Sequence, residues 1–311
     1  MNYINDEKHH VNDNDEINLL DLLNVIWEKK LILFATTLII TLLSILYALY
    51  LPNIYISKTL LVPAENNQSS MGALSEYASV ASLAGISIPS SSGDKSLEAI
   101  ERIKSYDFFK EHILENMPLQ DLLAVKYWDP ELNEITYDSK LYEVSSDKWV
   151  RKVSFPQKII PSDQEAYEEY LNIMNISKNK NFITISIKHY SPFIAQAWNK
   201  NIIDTINMSM REDDKTQTSK SIEFLNEQSN KVNYTEIKKA ISSLLQEQIK
   251  SLMLIEANDE YIFKVVNSPT APELKSEPKR SLIVILGTLG GFILGLLYIL
   301  IVNYLVINLR K

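Results

Sequence analysis

Cysteine is absent from all 311 residues, so neither a disulfide nor a thiolate metal site can hold this fold together. Stability has to come from core burial, which a chain of this length can supply. Histidine is scarce, with four copies, and the pair His9-His10 lies in an acidic tail where it reads as chance rather than as a ligand set. Glycine occurs seven times and not once between Gly93 and Gly287, which leaves few places for a tight reversal. It also rules out a Gly-x-x-x-x-Gly-Lys-[Ser/Thr] phosphate loop. Positive charge is in deficit, at a net −8, and this argues against nucleic acid as a partner.

Charge is missing altogether from two long stretches, 31–51 and 281–309. Each offers the roughly 20 apolar helical residues that a bilayer core requires, so both are expected to span a membrane, the second over 281–307. Two crossings place the termini in one compartment and residues 52–280 in the other. Lys29-Lys30 abut the first span and the next basic residue is Lys58, which puts the N-terminus in the cytoplasm. Arg310-Lys311 agree with this, whereas Lys279-Arg280 count against it. The first 28 residues are acidic and unlike a cleavable signal peptide, so the first span is read as a retained anchor. The expected order is a lead-in (1–30), transmembrane helix (31–51), exported domain (52–280), transmembrane helix (281–307) and cytoplasmic end (308–311). Leu19, Leu22, Leu23 and Ile26, followed by Trp27, predict that the lead-in is an amphipathic helix on the membrane face.

The exported part reads as α+β, with a small mixed sheet and long helices. Residues 54–62 are β-branched and aliphatic and stop at Pro63, as a strand would. Residues 66–93 are small and polar, and the sequence does not choose between close helix contacts and a loop. Leu97, Ile100, Ile103, Phe108 and Ile113 suggest one or two amphipathic helices, and 118–161 reads as mixed structure. Residues 165–170 look helical. A hairpin follows, pairing 173–177 with 182–189, where Ile183, Ile185 and Ile187 alternate with polar residues and mark one buried face.

Ser191-Pro192 has the chemistry of a capped helix start, and Ile194, Trp198, Ile202, Ile206 and Met210 form the stripe behind it. Asn233 with Glu236 resembles a capping box, predicting two helices, about 192–231 and 233–257. Without that break a single rod of roughly 100 Å results. Ile237, Ile241, Leu244, Leu245, Ile249 and Leu252 form a seam suited to packing on another helix. Residues 208–221 lack such a stripe and are expected to be solvated or to face another subunit. After a last strand at 261–266, Pro269, Pro272 and Pro278 predict a stiff extended strut leading to the membrane.

Gly287, Gly291 and Gly295 recur at four-residue spacing, which bares one face of the second span for close approach by another helix. No catalytic constellation stands out. His189 lacks a triad partner, while Glu165, Glu168 and Glu169, like Glu212, Asp213 and Asp214, read as solvated charge. Trp128, Trp149, Tyr167 and Tyr170 have rings able to stack on sugars, but core aromatics look the same in sequence. The sequence therefore predicts no enzyme, no cofactor and no metal.

The lead-in 15–23 with Trp27, the 95–109 helix, the segment 260–265 and the run from Pro269-Thr270-Ala271-Pro272 to Pro278-Lys279-Arg280 before a glycine-bearing span resemble one known family. It is the Wzz family of chain-length determinants, class 1 polysaccharide co-polymerases of the Gram-negative inner membrane. Glu277 stands where that pattern has serine, with Ser276 one place upstream. The resemblance implies a periplasmic α/β base with a projecting long helix and assembly into a ring or bell-shaped homo-oligomer. It further implies control of O-antigen or similar polysaccharide length, alongside a Wzy-type polymerase and lipid-linked polysaccharide. The kinase-bearing relatives fit less well, since only 308–311 follow the second span. The competing expectation is a two-span periplasmic sensor or adaptor that signals through the acidic N-terminal 28 residues.

Overall fold

The computed structural model describes residues 26–64 and 92–309. The lead-in over 15–25, His9-His10 and most of 66–93 lie outside the described residues. The chain divides into two compact units, Met1–Pro52 with Glu277–Lys311, and Asn53–Ser276.

The first unit is a helix pair, α1 (Lys30–Tyr50) and α8 (Arg280–Leu309), both long and apolar enough to cross a membrane. Leu51 leaves the helix in an extended conformation ahead of Pro52, whose ring disfavours helical geometry in the residue before it.

The second unit is built on a four-stranded sheet in the order β6-β7-β1-β8: β1 (Tyr55–Pro63), β6 (Met174–Asn179), β7 (Phe182–His189) and β8 (Phe263–Asn267). The α+β class stands, but every pairing is antiparallel, so the sheet is not mixed. Period-two alternation sets the register: Ile183, Ile185 and Ile187 are buried, and across from them β1 buries Tyr55, Ser57, Thr59 and Leu61. Lys180 turns the β6–β7 hairpin with φ at 54°.

Around the sheet run α2 (Ser92–Ile103), the helical stretch α3 over 106–116, α4 (Leu119–Leu123) and α5 (Asp163–Ile173). The α3 stretch is α over Tyr106–Phe108, widens to a π turn at Phe109–Ile113 and tightens to 3-10 at Leu114–Asn116. Residues 118–161, mixed on sequence grounds, hold α4 and two small antiparallel ladders: β2 (Val125–Asp129) with β3 (Glu134–Tyr137), and β4 (Tyr142–Glu143) with β5 (Lys148–Trp149).

The long helix α6 (Pro192–Lys231) packs its stripe of Trp198, Ile202, Ile206 and Met210 into the same core as Phe109, Tyr170 and Phe263. Each fully buried isoleucine there contributes on the order of 1.5–3 kcal/mol. At 40 residues, α6 extends about 60 Å. It ends at Lys231, and the second long helix, α7 (Thr235–Ala257), begins three residues after Val232, so the chain does break near Asn233. The cap differs from the expected box: Tyr234 occupies the capping position without a side-chain hydrogen bond. What stabilises the reversal is apolar, since Val232 and Leu245 pack against Leu225, Ile241 and Leu244.

Candidate functional site

Three places on the chain carry the residues singled out by sequence: the helix pair, the proline-rich segment and the helical hairpin. In the helix pair, the bare face of α8 meets a stripe of small and hydroxylated residues on α1. A Cβ added at Gly287 would lie 2.5 Å from the Ser44 Cβ, and one at Gly291 would lie 3.3 Å from the Thr37 Cα. One at Gly295 would lie 2.9 Å from the Leu33 Cδ1, whereas Gly290 points into open space. The glycine face therefore allows backbone-close packing of the chain's own two apolar helices. Hydroxyls reinforce it: Ser44 Oγ donates to the Ile283 carbonyl at 2.9 Å, and the Thr41 and Thr288 hydroxyl oxygens meet 3.1 Å apart across the pair. Thr36, Thr37 and Thr41 also return hydrogen bonds to their own helix, so no hydroxyl of this stripe faces apolar surroundings unpaired.

The proline-rich segment does not stand free as a strut. It runs along the second unit and is tied to it at three points: Gln196 Nε2 donates to the Pro269 carbonyl, Ser57 Oγ donates to the Thr270 carbonyl, and the Ser276 N–H donates to the Ile54 carbonyl. Proline lacks an N–H but keeps its carbonyl, and it is the Pro269 carbonyl that the sheet-side helix uses. Pro278 belongs to the other unit.

In the helical hairpin, α7 turns Ile241, Leu244, Gln248 and Ile255 inward. That line overlaps the expected seam in part: Ile241 and Leu244 lie on it, Leu245 and Leu252 lie at its margin, and Ile237 and Ile249 are exposed. The seam was drawn at strict apolar positions, whereas the buried line accepts the polar Gln248.

Two asparagines that no sequence signal picked out fix the long helix to the sheet. Asn199 donates through Nδ2 to the Ser57 and Ile185 carbonyls, at 2.9 and 3.2 Å, and its Oδ1 accepts from Thr59 Oγ1. Eight residues on, Asn207 donates to the Phe263 carbonyl and accepts from the Ile262 and Phe263 N–H groups. The one available signal was spacing: both sit four residues from the buried Ile203, in phase with the apolar stripe.

Several of the ionisable residues singled out by sequence are committed to structure, while Glu168 and Glu212 are exposed. Asp213 pairs with Arg102, and Asp214 takes hydrogen bonds from both Lys95 and Tyr261, so the supposed solvated run docks α2 on α6. Burial and the Asp214 carboxylate raise the Tyr261 phenol. Glu165 likewise is not merely solvated. Arg151 grips it through two nitrogens, and that hydrogen bonding lowers its carboxyl below the ordinary range. His189 Nε2–H donates to the Asp121 carbonyl, its Nδ1 accepts from the Ser191 N–H, and burial lowers it below its usual 6.5.

The four aromatics lie in packed settings. Tyr170 is buried, with its hydroxyl on the Ile103 carbonyl, and Tyr167 donates to the Lys104 carbonyl. Trp128 packs edge-on against Tyr55 and Phe193, and Trp149 against Tyr142. Among the described residues, no group of three or more His, Asp or Glu is placed to hold a metal ion. The outer face of the sheet forms an open groove of about 470 Å³, floored by Ser186 and Thr184 and edged by Lys58 and Lys188.

The arrangement is that of an α+β protein in which two helices long and apolar enough to cross a membrane bracket one folded domain in the sequence. Residues 15–115 match the Wzz family model, described as chain length determinant protein, and this match supports assigning the chain to the Wzz family. No curated protein matches. Among solved structures, a full-length bacterial polysaccharide co-polymerase is similar at 14% identity and a TM-score of 0.39, over 93% of this chain and 98% of that one. A fragment of WzzB, a polysaccharide co-polymerase from Salmonella Typhimurium, is similar at 12% identity and a TM-score of 0.31, over 72% of this chain and all of that one. Two apolar helices at the ends, together with a Wzz family domain, fit an inner-membrane protein with a periplasmic bulk.

Proposed function

We propose that this chain is a non-enzymatic chain-length determinant, an inner-membrane polysaccharide co-polymerase that sets the modal length of O-antigen or a similar Wzy-dependent polymer. The observation that carries the reading is the family match over 15–115, a segment holding the first apolar helix, β1 and α2. In this reading both termini are cytoplasmic and the body between the two helices is periplasmic. It works as a ring or bell-shaped homo-oligomer beside a Wzy-type polymerase and its lipid-linked polysaccharide.

Two features of the surface support the reading. The apolar side chains Ile237, Ile249 and Met253 of α7 are left exposed, as the contact face of an oligomer would be. Of the acids Glu165, Glu168 and Glu169 that a glycan-cutting enzyme would draw on, Glu165 is held in an ion pair with Arg151.

The test is deletion of the gene followed by electrophoresis of the lipid-linked polymer. Loss of the modal band with polymer still made is the expected result. An unchanged ladder refutes the function.

A further inference from the structure

The stretch 148–160, Lys-Trp-Val-Arg-Lys-Val-Ser-Phe-Pro-Gln-Lys-Ile-Ile, contains four cations and no acid, in a chain whose net charge is −8. It is not a loose loop. Arg151 sits with only 11% of its side chain exposed and holds the loop's two ends together. Its Nε donates to the Ile159 carbonyl at 2.8 Å, an Nη donates to the Lys158 carbonyl at 2.6 Å, and both Nη groups bind Glu165 at the start of α5. A second closure, the Gln157 N–H on the Ser154 carbonyl at 3.0 Å, makes a turn with Phe155 at its tip.

What this clamped turn displays is apolar. Phe155 is 97% exposed, Ile160 62% and Ile159 58%, with Val150 beside them at 41%. Lys148, Lys152 and Lys158 are exposed around them, and among the described residues none of the three pairs with a carboxylate. A soluble surface gains nothing from presenting four such side chains, and a fold that spends an arginine–glutamate clamp on presenting them has fixed them for contact.

We propose that this turn is a third membrane contact, in which Phe155 and the Ile159–Ile160 pair enter the interface of an anionic bilayer and the three lysines meet its phosphates. Charge complementarity selects this occupant, since lysine stems lie along apolar surface while their ammonium groups reach lipid phosphate. Size selects it as well. Four side chains fall far short of the roughly 800 Å² per partner typical of a stable protein interface. A bilayer contact needs no such area here, because α1 and α8, each long and apolar enough to cross a membrane, would hold the chain there and make the encounter intramolecular. The inference is independent of the chain-length reading.

The absence of cysteine allows a direct test on the full chain. Gln157→Cys and, as a reference, Tyr234→Cys are each labelled with an environment-sensitive fluorophore and reconstituted in phosphatidylcholine vesicles with or without phosphatidylglycerol. With phosphatidylglycerol present, the probe at 157 is expected to shift to the blue, to be quenched by nitroxide-bearing lipid and to resist aqueous iodide. The probe at 234 is expected to stay open to iodide. Phe155→Ser, at a fully exposed position, and the triple variant Lys148→Gln, Lys152→Gln, Lys158→Gln are each expected to return the 157 probe to iodide. The proposal is overturned if iodide quenches the 157 and 234 probes alike. It is also overturned if the 157 probe is shielded from iodide and nitroxide lipid together, which would mean that protein covers the turn.

Discussion

Asn207 and Phe263 exchange a closed pair of hydrogen bonds: the asparagine Nδ2 donates to the Phe263 carbonyl at 3.0 Å, and the Phe263 N–H returns to Oδ1 at 2.9 Å. A side chain thereby does for β8 what another strand would do, and it occupies part of the edge that β8 leaves unpaired. Because Oδ1 also takes the Ile262 N–H, replacing Asn207 strands two buried donors and one acceptor. Asn207→Leu is expected to cost about 3 kcal/mol, read from the urea midpoint of the reconstituted or solubilised chain. Lys264→Gln, a neighbouring exposed change, is expected to cost nothing measurable.

His189 makes the fold sensitive to acid. Its folded-state value lies below the usual 6.5 because of burial, so the unfolded chain binds the proton more readily. Stability is therefore complete above about pH 6.5 and declines as pH falls through the folded-state value. Protonation would also turn two donors toward each other, Nδ1–H and the Ser191 N–H. His189→Gln is expected to lower stability at neutral pH and to flatten the decline below about pH 6.5, checked by unfolding series at falling pH.

The α1–α8 contact should depend on which glycine is filled. Thr41→Cys with Thr288→Cys joins positions whose hydroxyls lie 3.1 Å apart, and in a cysteine-free chain this pair is expected to cross-link under mild oxidation. Adding Gly291→Leu is expected to abolish the cross-link, because even a Cβ there approaches α1 backbone at 3.3 Å. Gly290→Leu, where a Cβ meets nothing, is expected to leave it intact.

The helical hairpin has a small core of its own, separate from the main one. Leu244 is 4% exposed and packs with Leu225 and Ile241. Leu244→Ala is expected to cost about 2–3 kcal/mol locally, raising hydrogen exchange across the hairpin tip while the amides of β1 and β7 keep their protection. Equal loss of protection in both places would show that the two cores unfold together.

Much of this architecture was legible wherever local periodicity decides structure. Ile183, Ile185 and Ile187 declared a half-buried strand, Ser191-Pro192 declared the start of α6, and two charge-free runs declared the apolar helices. Pairings between residues far apart in sequence left no local trace. Asp214 meets Lys95 across 119 positions, and nothing near either residue marks it as half-buried. Asn199 and Asn207 carry no local mark of their role, because their backbone partners lie on strands up to 142 residues away. Two of the strands within 118–161 were unreadable for another reason: β4 and β5 have two residues each, too few for a period to show. The glycine face was visible in sequence, but its partner was not, since Thr36, Thr37, Thr41 and Ser44 register as a stripe only once α8 lies against them.

Membrane topology tests the account most directly, because the proposed role requires the body between α1 and α8 to lie outside the cytoplasm. Single cysteines at Tyr234 and at Glu28 are exposed to a membrane-impermeant maleimide in cells whose outer membrane has been made permeable. The account predicts rapid labelling of Tyr234→Cys and protection of Glu28→Cys until the inner membrane is lysed. Labelling of Glu28→Cys with protection of Tyr234→Cys would contradict it.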